Sequence, residues 1–256
     1  MKHYVVNRKS RPDRLLLWKG AMAAHGVSAD RLVTRVAMDK DDYKNASAIC
    51  ETARVEFPEF FSFHLEYPQS HVGFGHLICS WSVMQMWKAI AGGQETAVGW
   101  LDDYALRRSE SKLQSMIDAL SPDVLQLAWH YRPDIFEWDK YDIPVKWVVP
   151  PKLIISPKHR EVFLGANGGS DWANVLSPRG AGALLQFMAE HPYFNTEVAI
   201  QAYALAHRGQ GVFSVRANDP TEIGTAPLRR NRWVVHLWDY TDGDTSDLAG
   251  SHYGVK

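Results

Sequence analysis

Residues Ala97-Val98-Gly99-Trp100-Leu101 form a short apolar run that ends in two adjacent carboxylates, Asp102 and Asp103. A run this short and this apolar reads as a strand buried on both faces, the kind found in parallel sheets covered by helices. Successive side chains of a strand point to opposite faces, so the two acids do not share one solvated face, and at least one is expected to enter a cleft. In open α/β sheets ligands bind beyond the carboxyl ends of the strands, where such a pair meets them. Carboxylate oxygens are hard ligands, suited to Mg²⁺ or Mn²⁺ carrying a phosphorylated substrate. An equally open reading closes the strand with an Asx turn and makes the acids N-caps for the helical segment Arg107 to Leu120.

The rest of the chain supplies the partners such a strand needs. Tyr4-Val5-Val6 predicts a strand, the polar run Asn7 to Arg14 a turn, and Leu16, Leu17, Met22 and Ala23 a helix closed by Gly26. Leu32 to Ala37 predicts the next strand, which completes a parallel βαβ unit. Asp39 to Pro68 reads as a helix near Ala46 to Arg54 followed by a loop. A strong helical segment runs from His76 to Ala91 until Gly92-Gly93 stops it, and another from Ser109 to Leu120. Asp123 to Trp129 predicts a strand, Trp147 to Val149 and Leu153 to Ile155 a hairpin, and Leu164 to Asp171 a flexible loop suited to a lid. Ser177-Pro178 opens a helix that continues to Glu190; Thr196 to Arg208 is another, and Val212 to Val215 a strand. No repeat or linker divides the chain. The expectation is therefore one α/β domain over residues 1–240, with a Gly-, Ser- and Asp-rich tail over 241–256.

Composition narrows the partners. A formal charge of −1 and a pI near 6.8 give no global field for nucleic acid or an anionic membrane, which argues against both unless a local patch supplies one. No run approaches the ~20 apolar residues of a membrane span. Nor does the N-terminus hold an apolar stretch of signal-peptide length, and Cys50 and Cys79 have no zinc-like spacing. A reduced, cytoplasmic setting is the simpler expectation.

Several residues are candidates for chemistry on their own account. Asn7, Arg8, Arg11 and Arg14 crowd a strand-to-helix turn, where amide and guanidinium donors hold a base, ribose or diphosphate; a solvated basic helix start is the plainer reading. His236, in the apolar run Trp233 to Trp238, either reaches a diphosphate or metal or is a hydrogen-bonded core residue. Trp129, Trp138 and Trp172 either stack on sugar rings or fill the core.

Taken in order, the pieces resemble the family 25 glycosyltransferases, the lipooligosaccharide and collagen-galactosyl type. Tyr4 to Arg14 is similar to that family's opening strand, turn and arginine-ended motif, and Val36-Ala37-Met38-Asp39 to the end of its second strand. Gly75 to Trp87, with Cys79 and Ser82, resembles its glycine, cysteine and serine-histidine helix. Leu101-Asp102-Asp103 falls on its acidic motif, and Trp172 to Leu185 is similar to a later helix. Thr196-Glu197 takes the place of a later acidic position, and Arg216 to Gly224 that of the closing segment. Val83 stands where the family has a histidine and Leu101 where it has a glutamate, so the motif lacks one carboxylate.

The resemblance implies a GT-A-like, Rossmann-like fold with a mixed, mostly parallel central sheet flanked by helices. It also implies transfer of a hexose from a nucleotide diphosphate sugar, UDP-hexose by preference, to a glycan hydroxyl, with inversion and a divalent ion, Mn²⁺ or Mg²⁺. On that reading Asp103 contacts the metal directly, Asp102 holds the metal's water or the donor ribose, and His236 is a further metal candidate. Asn7, Arg8, Arg11, Arg14, Asp39, Ser82 and Asp102 bind the nucleotide sugar, and Arg8, Arg11 and Arg14 help neutralise the departing diphosphate. Inversion requires a carboxylate to deprotonate the acceptor, for which Glu197 and Asp171 are the candidates; each also reads as a helix N-terminal charge. Two other functions fit the same residues: a degenerate glycan- or nucleotide-sugar-binding module, and a phage-like enzyme that glycosylates modified DNA bases through the basic patch Arg229 to Arg232.

Overall fold

Burial of both faces of the first strand sets up the whole architecture. A computed structural model of the chain describes residues 1–67, 73–128, 154–155, 158, 162–164, 173–207, 209–215 and 233–237. Strand β1 (Lys2–Arg8) is buried from His3 to Asn7. Its Tyr4 and Val6 face one hydrophobic core and its Val5 the other. A strand apolar on both faces must be covered twice, and the helices do so. Helix α1 (Pro12–Ala24) starts with Pro at its first turn and ends at Gly26, whose φ of 90° is the left-handed conformation a helix terminus needs. Strand β2 (Leu32–Ala37) then returns parallel to β1, which completes the expected βαβ unit.

Helices α2 (Ala46–Ala53), α3 (Pro58–Glu66) and α4 (Phe74–Ala91) follow on one face. The stretch expected as a loop after Arg54 is thus largely a helix. Pro58 sits at the first helical position, where its missing N–H costs nothing. Strand β3 (Ala97–Leu101) pairs parallel to β1, short β4 (Tyr104–Leu106) follows the acidic pair, and α5 (Glu110–Leu120) leads to β5 (Val124–Gln126). Strands β6 (Ile154–Ile155) and β7 (Val162–Leu164) precede β8 (Ala173–Leu176). Helices α6 (Pro178–Glu190) and α7 (Thr196–Ala206), β9 (Val212–Val215) and β10 (Val234–His236) complete the order. The helix-like resemblance of Trp172 to Leu185 is corrected over its first part. Residues 173–176 are a strand buried on both faces, which leaves no helical periodicity to lose, and the helix begins only at Pro178.

The main sheet has the order β2-β1-β3-β8-β5-β9-β7-β6. Strands β2, β1, β3, β5, β9 and β6 point the same way, whereas β8 and β7 are antiparallel to their neighbours. This is the mixed, mostly parallel sheet expected from the sequence. Helices α2, α3, α4, α6 and α7 supply one core; α1, α5, β4 and β10 supply the other. Strand β10 pairs antiparallel with β4 in a separate ribbon. Just past β5 the Leu127 amide donates to the Ala173 carbonyl at the start of β8 at 2.9 Å, and the Ala128 amide to the same oxygen at 3.4 Å. Among the described residues no helix is long and apolar enough to cross a membrane.

Asp123 fixes the amino-terminal edge of the sheet. Its carboxylate accepts from Ser177 Oγ at 2.7 Å and from Arg179, and its carbonyl accepts from the Ser177 amide at 3.0 Å. Gly180 packs so closely on that carbonyl that a Cβ would overlap its oxygen. Gly180→Ala is therefore expected to destabilise the fold by about 1–3 kcal/mol or more, measured by denaturant unfolding, because backbone cannot yield as a flexible side chain can.

Two buried histidines make the fold acid-sensitive. Desolvation lowers both His3 and His64 from 6.5 to about 4; His3 bonds to Glu110, and His64 to the Pro192 carbonyl. Between those values the unfolded chain holds the extra proton and the folded chain does not, so stability rises with pH across the window. Their contribution is complete above about 6.5 and lost as pH falls toward about 4. A melting series from pH 8 to pH 4 is expected to show Tm falling through that interval, and less steeply in His64→Gln.

Candidate functional site

The parallel register brings the expected residues to the carboxyl edge of β1, β2 and β3. Val6 stands opposite Leu101, so Asn7 at the end of β1 meets Asp102 just beyond β3. The Asn7 side-chain amide donates to Asp102 Oδ2 at 2.6 Å and to the Arg11 carbonyl at 3.0 Å, which ties the acidic turn to the start of α1. Arg14, in the first turn of α1 and buried, places Nη1 at 2.8 Å from Asp103 Oδ1 and 3.9 Å from Asp102 Oδ1. Asp102 is 9% exposed. Its burial, and next the negative charge of Asp103, push the Asp102 carboxyl up to about 6 against the opposing pull of Asn7 and Arg14.

A second acidic position lies beside the first. Arg8 pairs in register with Ala37, so Asp39 follows two residues past the end of β2. Ser10 donates to Asp39 Oδ2 at 2.5 Å, and Arg8 Nη1 stands 3.6 Å from Asp39 Oδ1. Ser82 braces this turn from α4. Its Oγ accepts from the Met38 amide at 3.1 Å and donates to the Ile78 carbonyl at 2.8 Å, so both of its hydrogen-bonding directions serve the backbone. Arg11 pairs with Asp13, at 2.9 and 3.1 Å, and holds that carboxyl below its ordinary range, while its charge also opposes the rise of the Asp102 pKa.

The backbone of β10 reaches the acidic turn from the other side. His236 stands opposite Tyr104, and the Leu237 amide donates to the Asp103 carbonyl at 2.8 Å. Glu197 lies in the first turn of α7, which Asn195 caps by accepting from the Val198 amide, and the Thr196 amide donates to Ser80 Oγ on α4 at 3.3 Å. Because α7 descends to β9, which points the same way as β3, its first turn belongs to the carboxyl edge of the sheet, as do the aspartates. Asp171, Trp129, Trp138, Trp172, Arg229 to Arg232, the Trp147 to Val149 strand, residues 165–171 of the expected lid and the tail lie outside the described residues.

The structure thus brings Asn7, Arg8, Arg14, Asp39, Asp102 and Asp103 into one band. The Asp102 and Asp103 side chains are not N-caps of α5, whose N-cap position is Ser109. Among the described residues no three His, Cys, Asp or Glu side chains gather as a metal site. Sequence reasoning missed Ser10, whose only signal was its place in the donor-rich turn, and the part of Asn7 in holding Asp102. A cavity of about 460 Å³ walled by Glu95, Asp118 and Asp123 opens at the opposite, amino-terminal edge of the sheet, away from this band.

No family model and no curated protein sequence matches the chain. Among solved structures it is similar to the galactosyltransferase LgtC in complex with donor and acceptor sugar analogues, at 10% identity and a TM-score of 0.45, over 92% of this chain and 86% of that one. It is also similar to the apo form of mouse xyloside xylosyltransferase 1, at 8% identity and a TM-score of 0.40, over 82% of each chain.

Proposed function

We propose that the chain is a glycosyltransferase that moves a hexose from a nucleoside diphosphate sugar, UDP-hexose by preference, to a glycan hydroxyl with inversion. One observation carries the reading: a half-buried aspartate pair, clasped by Asn7 and Arg14, at the carboxyl edge of a parallel βαβ unit. That edge is where open α/β sheets bind their ligands. The neighbouring Asp39, Ser10 and Arg8 offer acceptors and donors to the nucleoside, and Arg14 offers a guanidinium fork to the diphosphate.

A divalent ion fits this donor set. Asp102 and Asp103 supply hard oxygens, and with Arg14 they carry a formal charge of minus one when ionised. Two carboxylates, with phosphate oxygens and water, are the usual holding for Mg²⁺ or Mn²⁺. Bound there, such an ion would supply electrophilic stabilisation to the diphosphate leaving group. The protein's own residues hold the donor and its charge; Glu197 is the proposed base for the acceptor hydroxyl, with Asp171 the second candidate.

Calorimetry with a panel of nucleotide sugars, with and without Mn²⁺, followed by donor hydrolysis and transfer assays, tests the proposal. Binding with turnover supports it; binding without turnover on any donor or acceptor overturns it in favour of a binding module. The pH profile adds a separate check. Asp102 serves as a ligand only when ionised, so kcat/KM is expected to fall as pH drops through about 6. A profile flat between pH 5 and pH 8 would count against its role.

A further inference from the structure

We propose that Arg14 is an internal counter-cation of the aspartate pair, and that it makes uptake of a divalent ion conditional on a nucleoside diphosphate. The inference rests on the reading of Asp102 and Asp103 as the ion's ligands and adds a control on when they are available. Arg14 Nη1 lies against Oδ1 of both aspartates, 2.8 Å from one and 3.9 Å from the other. A nitrogen so placed takes the position of a cation shared between two carboxylates. Asp102 Oδ2 is meanwhile held by Asn7 at 2.6 Å. At least three of the pair's four oxygens therefore already face a donor of this chain.

Charge decides what displaces the guanidinium. The Arg14 side chain is 7% exposed and the two carboxylates 13% and 20%. Asp102, Asp103 and Arg14 together carry a formal charge of minus one when ionised. A divalent ion arriving alone would turn this half-buried cluster positive and push a buried guanidinium off its partner, which leaves that charge uncompensated. A diphosphate arriving with the ion adds at least two negative charges and restores the negative sign. Its oxygens also accept from a cationic donor, so Arg14 exchanges the carboxylate oxygens that Nη1 now faces for phosphate oxygens and the Oδ1 oxygens become available. Helix α1 suits this exchange: Arg14 sits in its first turn, on a backbone anchored by Asn7 through the Arg11 carbonyl, so only the side chain has to swing.

The test measures Mn²⁺ binding to the full chain by titration calorimetry and by the electron paramagnetic resonance of free Mn²⁺. Each is run without nucleotide and with saturating UDP, corrected for Mn²⁺ held by UDP in solution. The unmodified chain is expected to bind Mn²⁺ at least ~10-fold more tightly with UDP than without it, within the 5–150-fold span of ordinary coupling. Arg14→Gln is expected to tighten binding of Mn²⁺ alone by a similar factor and to shrink the effect of UDP, whereas Arg14→Lys keeps the cation and the original behaviour. Equal Mn²⁺ affinity of the unmodified chain with and without UDP would overturn the proposal, and this comparison stands even where Arg14→Gln fails to fold. An Arg14→Gln protein that folds but binds Mn²⁺ alone no more tightly than the original overturns it too. No Mn²⁺ uptake by any form, or uptake by Arg14→Gln that survives a further Asp103→Asn change, instead overturns the reading of the pair as ion ligands.

Discussion

Asp103→Asn is expected to lower kcat for sugar transfer by ~10²–10³-fold or more, the loss seen when one charge-stabilising group is removed from a preorganised site. The substitution keeps the size of the side chain and its oxygen facing Arg14, now at 2.8 Å from Oδ1, but removes the charge. It also relieves Asp102, whose pKa is raised first by burial and next by Asp103. That relief opposes the loss of Arg14's nearer counter-charge, with Asp102 still 3.9 Å from the guanidinium, so the unfolding midpoint is expected to change little while activity disappears. Denaturant melts alongside transfer assays check both halves. Full activity in a folded Asp103→Asn protein would remove the aspartate from the mechanism, and a collapsed midpoint would make it a structural residue.

Trp100→Ala is expected to cost about 3–5 kcal/mol of stability. Trp100 is fully buried in β3, two residues before Asp102, and stacks on His3 with ring centroids 6.2 Å apart and planes 17° from parallel. Its indole N–H donates to His3 Nδ1 at 3.2 Å, which makes Nδ1 the acceptor and leaves Nε2 to donate to Glu110 at 3.3 Å. Arg31 closes the chain with bonds of 2.9 and 3.0 Å to the same carboxylate. Truncation therefore opens a cavity and strands a buried acceptor at once. Trp100→Phe keeps most of the packing and loses the bond, so its cost is expected to be about 1–3 kcal/mol. Equal costs for the two substitutions would show that the His3 bond carries the effect and the ring volume little.

The sequence carried the architecture where local rules and tertiary packing agree. Gly26 at φ 90° ends α1, Pro178 opens α6, and the apolar runs of β1, β2 and β3 are strands in the expected order. Local rules failed where one residue type has two uses. Pro58 starts α3 although proline between aromatic and acidic residues suggested a loop, and Ala173–Leu176 is too short and too evenly buried to show a period. At the site the sequence named Asn7, Arg14, Asp39, Asp102 and Asp103 but not who holds whom. That Ser10 meets Asp39, and Asn7 meets Asp102, follows from strand register across 29 and 95 residues of separation, which no local pattern encodes. His3 gave no sign of its burial, since its role depends on Trp100 and Glu110, far along the chain.

The paired bonds from Leu127 and Ala128 to the Ala173 carbonyl have an evolutionary corollary. With residues 127–128 and 173 held together, the length of chain between β5 and β6 can vary at small entropic penalty, since closure entropy grows only with the logarithm of loop length. Exchanging residues 129–153 for a stretch of different length, with these two bonds and strands β6 to β9 kept, is thus expected to leave the unfolding midpoint nearly unchanged.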